Sequence, residues 1–295
     1  MKTTYNSRIY MEKNTSDARE DPKSTDRSPS VFAREPTQSA RTTSGFEATY
    51  DVSKPHYRVI MLILASNNNN IYKNCRKVWK KYMNIDPEIK VFFTYGKQTP
   101  EFPLEEYDEK SDLIFEDIEE SYPVYIHKTM NAFIHIHSNY TYDYLVRTNL
   151  STFWDFENLH KHLDILPKTE CYSGDGPLNG TGYDVNGTYL SGVDTIVTYS
   201  MIHSIVTNKE LVDYHIVEDH AMGKYFNGIL KVPMLPNRIC FFEDIIQEPD
   251  VLPRIKNSKN NSIDHYRVKS LINREEKDLY VYKQLLNTIY NITLD

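Results

Sequence analysis

Tyr140-Thr-Tyr-Asp-Tyr-Leu-Val-Arg-Thr-Asn-Leu-Ser-Thr-Phe-Trp-Asp-Phe156 is the stretch whose reading decides the fold. Its apolar centre, Tyr144-Leu145-Val146, reads as a buried strand. The strand runs into the polar group Arg147-Thr148-Asn149-Leu150-Ser151 and then an aromatic cluster, Phe153-Trp154-Phe156. In open α/β sheets, ligands sit beyond the carboxyl ends of the strands. A strand ending in Arg147, Asn149 and Ser151, backed by an aromatic wall, therefore reads as the floor of a polar-ligand site. Asn and Ser also make ordinary turns, so the flanking sequence has to decide.

Upstream, Tyr57 to Ala65 is continuously apolar after Arg58, as expected of a central parallel strand covered on both faces. Ser66 and four asparagines, 67–70, follow as a capping turn, then a helix over 71–82. Strand, polar loop and helix form the first half of a βαβ unit. The helix start can receive a phosphate on its free N–H groups, but no Gly-rich phosphate loop is present. Residues 89–95 predict a second strand and Asp112 to Phe115 a short one. Ser121-Tyr122-Pro123 signals a helix running to about His137. Its histidines, at 127, 135 and 137, lack the i, i+4 spacing of a helix-borne metal pair.

Downstream, Glu157 to Leu163 suggests a short helix. Residues 174–192 hold six of the ten glycines, which suggests a binding loop or an irregular excursion. Residues 195–201 mix polar and apolar positions, 201–213 look helical, and Glu218-Asp219 opens a further helix, where acidic side chains suit the dipole. Residues 273–289 read as an amphipathic helix packed on the sheet. Residues 1–54 differ from the rest, with scattered charges and no apolar periodicity. They read as a disordered polar tail, which leaves 55–295 as one folded domain.

The net charge of −7 excludes a general nucleic-acid footprint. Cys75, Cys171 and Cys240 are odd in number and lack a C-x-x-C, which excludes a disulfide framework or a zinc site and suggests a reducing compartment. No segment reaches the roughly 20 apolar residues of a membrane span. The 23 tyrosines offer flat faces with polar tips, suited to stacking on bases or sugars.

Six segments taken together resemble glycosyltransferase family 31, the β-1,3-galactosyltransferase and Fringe-type enzymes, over about residues 57–228. Arg76-Lys77-Val78-Trp79 is similar to that family's R-x-T-W element, and Val91-Phe92-Phe93-Thr94-Tyr95-Gly96 to its V-F-L-L-G strand. Asp112-Leu113-Ile114-Phe115-Glu116-Asp117-Ile118, Ser121-Tyr122 and Lys128-Thr129 follow its D-I-I-x-x-D-F-x-D-S-Y-x-N-L-T-x-K-T run. Tyr144 to Thr148 resembles the strand leading to the metal motif, Ser191-Gly192 the S-G-G acceptor loop, and Glu218 to Gly223 the E-D-V-x-x-G element.

The resemblance implies a GT-A fold: a Rossmann-like α/β sandwich with a mostly parallel central sheet and flanking helices. It implies inverting transfer of a sugar from a UDP-sugar to a hydroxyl of a glycan or glycoprotein acceptor. Asp219 is then the base, with Glu218 beside it. Arg76, Asp117, Arg147, Asn149 and Ser151 fall on the donor side, and Trp154, Ser191 and Gly192 on the acceptor side. The family holds Mn²⁺ on a K-T-D-D-D strand end. Here that position reads Arg147-Thr148-Asn149-Leu150-Ser151, whose neutral oxygens bind a hard dication far more weakly than carboxylates. Asp155 could supply a displaced carboxylate; no metal ligand is assigned. One reading is a metal-independent enzyme in which Arg147, with Arg76 or a lysine, meets the diphosphate. The other is an inactive module that binds carbohydrate or nucleotide sugar. Animal enzymes of the family carry an N-terminal membrane anchor where this chain has a polar tail. The expectation is therefore a soluble protein of a cytoplasm, bacterial or, for a large virus, that of the host or the virion.

Overall fold

The computed structural model describes residues 50–294, apart from 102, 105, 121–124, 180–186 and 245. The helix-start signal at Ser121-Tyr122-Pro123 and most of the glycine-rich segment lie outside the described residues. So does the expected tail as far as residue 49. Residues 50–53 are exposed, and the Tyr50 ring lies 4.9 Å from that of Tyr199.

The elements run β1 (His56–Leu64), α1 (Asn70–Tyr82), β2 (Ile89–Tyr95), β3 (Asp112–Ile114), α2 (Tyr125–Asn139), β4 (Thr141–Asn149), β5 (Thr152–Trp154), α3 (Phe156–Leu163), β6 (Tyr172–Gly174), β7 (Leu178–Asn179), β8 (Thr188–Tyr189), β9 (Asp194–Thr198), α4 (Tyr199–Thr207), α5 (Glu218–Gly223), β10 (Met234–Pro236), β11 (Ile239–Phe242), α6 (Glu248–Asn260), β12 (His265–Val268) and α7 (Arg274–Leu285). π-helical turns at Lys224–Ile229 and Leu286–Tyr290 extend α5 and α7.

Among the described residues, seven strands form the main sheet in the order β10-β6-β9-β4-β1-β2-β3. All neighbours are parallel except those of β9, which runs antiparallel to both β4 and β6. The molecule is thus a mixed α/β fold with a mostly parallel sheet and helices on both faces. In β1, Val59 to Ile63 are fully buried. Because side chains alternate along a strand, Val59, Met61 and Ile63 enter one apolar layer with α1, α3, α6 and α7. Ile60 and Leu62 enter the other with α2, α4 and α5. Each such side chain contributes about 1.5–3 kcal/mol by burial. A run apolar on both faces can only be a central strand, so β1 fixes the middle of the sheet.

α1 begins where the Asn69 side chain accepts from the Tyr72 N–H at 2.9 Å. It buries Cys75, Val78, Trp79 and Tyr82. α7 packs on α1, α6 and β12, and its Val281, Tyr282 and Leu285 join the apolar layer that Val59, Met61 and Ile63 enter. A small second sheet, β11-β12-β5, is formed by short strands that the sequence pattern left unassigned. The chain passes from the main sheet into it at Leu150-Ser151, directly after β4, so the polar strand end sits on the seam between the two sheets. Two hydrogen bonds, one from a side chain and one from the backbone, fix that seam. The Trp79 indole N–H donates to the Leu150 carbonyl at 3.1 Å, and Val268 N–H donates to the Ser151 carbonyl at 2.9 Å.

Candidate functional site

At the carboxyl ends of β1 and β4 lies a cleft of about 410 Å³. β1 and the turn after it contribute Leu64, Ala65 and Ser66, and the β4 end contributes Arg147, Asn149, Leu150 and Ser151. Gly192 precedes β9, Glu218 and Asp219 open α5, Tyr72 comes from α1, and Tyr125 and Lys128 come from α2. Arg267 and Lys269 arrive from β12 and the residue beyond its end.

Arg147 is the hub. Its Nε donates to Glu218 Oε1 at 2.9 Å, and its Nη2 bonds to Glu218 Oε2. Its Nη1 reaches Asn149 Oδ1 at 3.3 Å and the Gly192 carbonyl. Thr129 Oγ1 donates to Glu218 Oε1 at 3.2 Å. Both charged side chains are almost fully buried, at 5% and 4% exposure. Burial pushes the Glu218 carboxyl above its ordinary range, and Arg147 opposes that shift. The ion pair clamps the start of α5 against β4.

Asp219 is thereby held at the cleft wall. Its Oδ2 accepts from the Gly192 N–H at 3.3 Å, and its Oδ1 accepts from the His220 N–H at 3.0 Å. Gly192 is packed tightly between Arg147 and Asp219: a Cβ there would lie 3.0 Å from Arg147 Nη1 and 3.4 Å from Asp219 Oδ2. Both acidic residues line the cleft, but Asp219 is half-buried, whereas Glu218 is buried in its pair with Arg147.

Lys128 closes the floor. Its ammonium donates to the Ala65 carbonyl at 3.0 Å and to both Glu120 oxygens at 2.9 and 3.0 Å. Burial pulls it below the ordinary lysine range, while Glu120 pulls it back.

No family model and no curated protein matches the chain. Among solved structures it is similar to the crystal structure of a glycosyltransferase involved in the glycosylation of the major capsid of PBCV-1, with a TM-score of 0.42 and 8% sequence identity, covering 77% of this chain and 98% of that one.

Of the residues singled out from sequence, the cleft brings together Arg147, Asn149, Ser151, Gly192, Glu218 and Asp219. It does not include the others. Trp154 is fully buried, stacked on His265 at 4.3 Å, and its indole donates to Thr148 Oγ1 at 3.2 Å. The aromatic wall is core: Phe153, Trp154 and Phe156 are all buried in the apolar layer that holds α1 and α7. Arg76 is nearly buried. It pairs with Asp112 at 2.7 Å and donates to the Glu106 carbonyl at 2.6 Å, so these two motif residues meet each other rather than the cleft. Asp117 sits exposed in the turn after β3, outside the cleft lining. Ser191 lies beside it without lining it; its Oγ accepts from the Val193 N–H at 3.4 Å. Asp155 caps α3, accepting from the Asn158 N–H at 3.1 Å, and is spent as a helix cap.

The donor set at the β4 end does not suit a hard dication. Asn149 Oδ1 accepts from Arg147, and Ser151 Oγ accepts from Arg267 Nη1 at 2.5 Å. Two guanidinium groups and an ammonium stand where a dication needs anionic oxygens. Arg267 and Lys269 are the residues that sequence reading missed. Their signal is spatial, since β12 pairs antiparallel with β5 and sets Arg267 opposite Thr152.

Proposed function

We propose that the chain is an inverting glycosyltransferase that moves a sugar from a UDP-sugar to a hydroxyl of a glycan acceptor without a metal ion, as a divergent relative of glycosyltransferase family 31. The observation that carries this reading is the strand-end cleft in which one accessible carboxylate, Asp219, faces a wall of basic side chains. Glycosyl transfer needs both charges. Asp219 takes the proton of the acceptor hydroxyl. The hydroxyl oxygen then attacks the anomeric carbon from the face opposite the leaving group. The bond from that carbon to the phosphate oxygen breaks, and the diphosphate departs with the electron pair. Basic groups stabilise the charge that develops there.

Glu218 serves as a positioning residue in this scheme, because its carboxylate is committed to Arg147. Tyr72 and Tyr125, on the cleft wall, supply flat faces for a base or a sugar ring. Among the described residues, no helix is long and apolar enough to cross a membrane.

A thermal-shift screen of UDP-sugars, each with Mn²⁺ and with excess EDTA, tests the reading. Binding raises the melting point, by about 2.7 kcal/mol of linkage at a hundredfold excess over Kd. The expected result is an equal shift in both conditions for at least one UDP-sugar. A shift that needs Mn²⁺ contradicts metal independence, and no shift for any donor contradicts the nucleotide-sugar site.

A further inference from the structure

The donors available in the cleft are unevenly spent. Lys128 has three N–H donors, and all three are taken by Ala65 and Glu120. Arg147 has five, four of which go to Glu218, Asn149 and Gly192. Lys128 cannot meet a ligand without first breaking its ion pair with Glu120, and Arg147 keeps a single N–H beyond its buried partners. Arg267 uses two of its five: Nη1 on Ser151 Oγ at 2.5 Å, and Nε on Glu243 Oε1 at 3.2 Å. Lys269, exposed at the rim, has no side-chain partner among the described residues.

These two cations alternate along one extended segment. His265, Arg267 and Lys269 fall on one side of the strand, while Tyr266 and Val268 enter the core. The side they share climbs from fully buried at His265, through 9% exposure at Arg267, to the open rim at Lys269. Ser151 Oγ holds the Arg267 guanidinium at the end of β4, and the remaining edge of its planar fork is unspent. A planar fork beside a mobile ammonium matches a pair of linked phosphates, the fork binding two oxygens of one and the ammonium neutralising the other.

We infer that Arg267 and Lys269 form the seat for the diphosphate of the donor, in place of a metal and in place of Arg147. This rests on the nucleotide-sugar reading for what the diphosphate is attached to. It assigns charge neutralisation to the small second sheet, whereas the base comes from α5. Arg147 is then the clamp that positions Asp219, and Arg267 and Lys269 are the groups that receive the leaving charge.

The test is calorimetric titration of the full chain with inorganic pyrophosphate, UDP and uridine in excess EDTA. It compares the natural protein with Lys269→Gln, Arg267→Gln and Arg267→Lys. Loss of one charged hydrogen-bonding partner weakens binding by roughly ten- to a hundredfold. The expected result is that both glutamine variants weaken pyrophosphate and UDP by that factor and leave uridine binding unchanged. Arg267→Lys recovers part of the loss, because it keeps the charge and loses the fork. Lys269 is exposed, so an unchanged melting point for Lys269→Gln separates loss of the seat from loss of the fold. Pyrophosphate binding that is absent in the natural protein, or equal in the variants, overturns the seat. UDP binding that survives in the variants overturns the seat and leaves the nucleotide reading standing. Pyrophosphate binding that depends on both residues, with no preference for UDP or any UDP-sugar, supports the seat and overturns the nucleotide reading.

Discussion

Removing one partner of the Arg147–Glu218 pair is a sharp perturbation, because both side chains are out of water, at 5% and 4% exposure. Glu218→Gln keeps the shape and the Thr129 contact but leaves a guanidinium buried without its counter-charge. Breaking a buried pair from one side costs about 3–5 kcal/mol. For a domain of this size that lowers Tm by roughly 6–20 °C, at about 2–4 °C per kcal/mol. Arg147→Met is expected to cost less. The carboxylate left behind is already pushed toward its neutral form by burial and can take up a proton, whereas a guanidinium cannot lose one. The Arg147→Met cost therefore grows as pH rises, since ionised Glu218 is the unfavourable species, and the Glu218→Gln cost does not. The double variant Arg147→Met with Glu218→Gln removes both charges and is expected to recover most of the stability. Urea unfolding of the four proteins at pH 5 and 8 measures the coupling. Single costs below about 1 kcal/mol, as for exposed ion pairs, or additivity within about 0.5 kcal/mol, would refute the clamp.

Trp154→Ala is expected to cost about 3–5 kcal/mol as a core truncation, with affinity for the donor unchanged in the folded fraction; a selective loss of ligand affinity in titration would return Trp154 to the site. Gly223→Ala is expected to cost about 1–3 kcal/mol by overpacking, since a Cβ there would lie 2.5 Å from the Tyr189 Cβ, whereas Gly228→Ala, with nothing nearer than 3.9 Å, should be neutral or stabilising; equal melting points for both would contradict the close packing of α5 on β8. Burial would lower the His265 imidazole, but Asp194, 3.2 Å from its Nε2, and Asp264, 2.5 Å from its Nδ1, raise it from 6.5 to about 10. Its contribution is therefore complete below about pH 6.5 and is lost as pH rises toward 10, with a slope approaching ~1.4 kcal/mol per pH unit. In His265→Gln the stability-against-pH curve from denaturant unfolding should flatten over that window.

What could be read from residues alone follows from how local each signal is. The β1 run is apolar on both faces, and that pattern has one solution in a covered sheet; β2 is bounded by its own sequence in the same way. Asn69 caps α1 through a side chain three residues from its partner. β11 and β12 have four residues each and are held by pairing with each other and with β5, more than a hundred residues away from β12, so no window of sequence announces them. The antiparallel course of β9 is likewise a property of its neighbours. In the cleft, Arg147, Asn149 and Ser151 were visible because strand ends in parallel sheets face ligands. That Arg147 would be paired with Glu218, 71 residues later, was not visible. Trp154 misled because an aromatic side chain beside a polar strand end fits a sugar platform and a core plug equally well, and only the orientation of β5 separates them.

The measurement that bears most directly on the proposed chemistry is UDP release from a UDP-sugar in the presence of an acceptor and excess EDTA, for the natural protein and for Asp219→Asn. Asp219 is the one cleft carboxylate not committed to a buried ion pair. General-base catalysis contributes about 10²–10⁴-fold. The expected result is EDTA-resistant turnover in the natural protein, a loss of that size in Asp219→Asn, and unchanged donor affinity in both. Turnover retained in Asp219→Asn, or no turnover by the natural protein with any UDP-sugar that it binds, would contradict the assignment of this cleft as a glycosyl-transfer site.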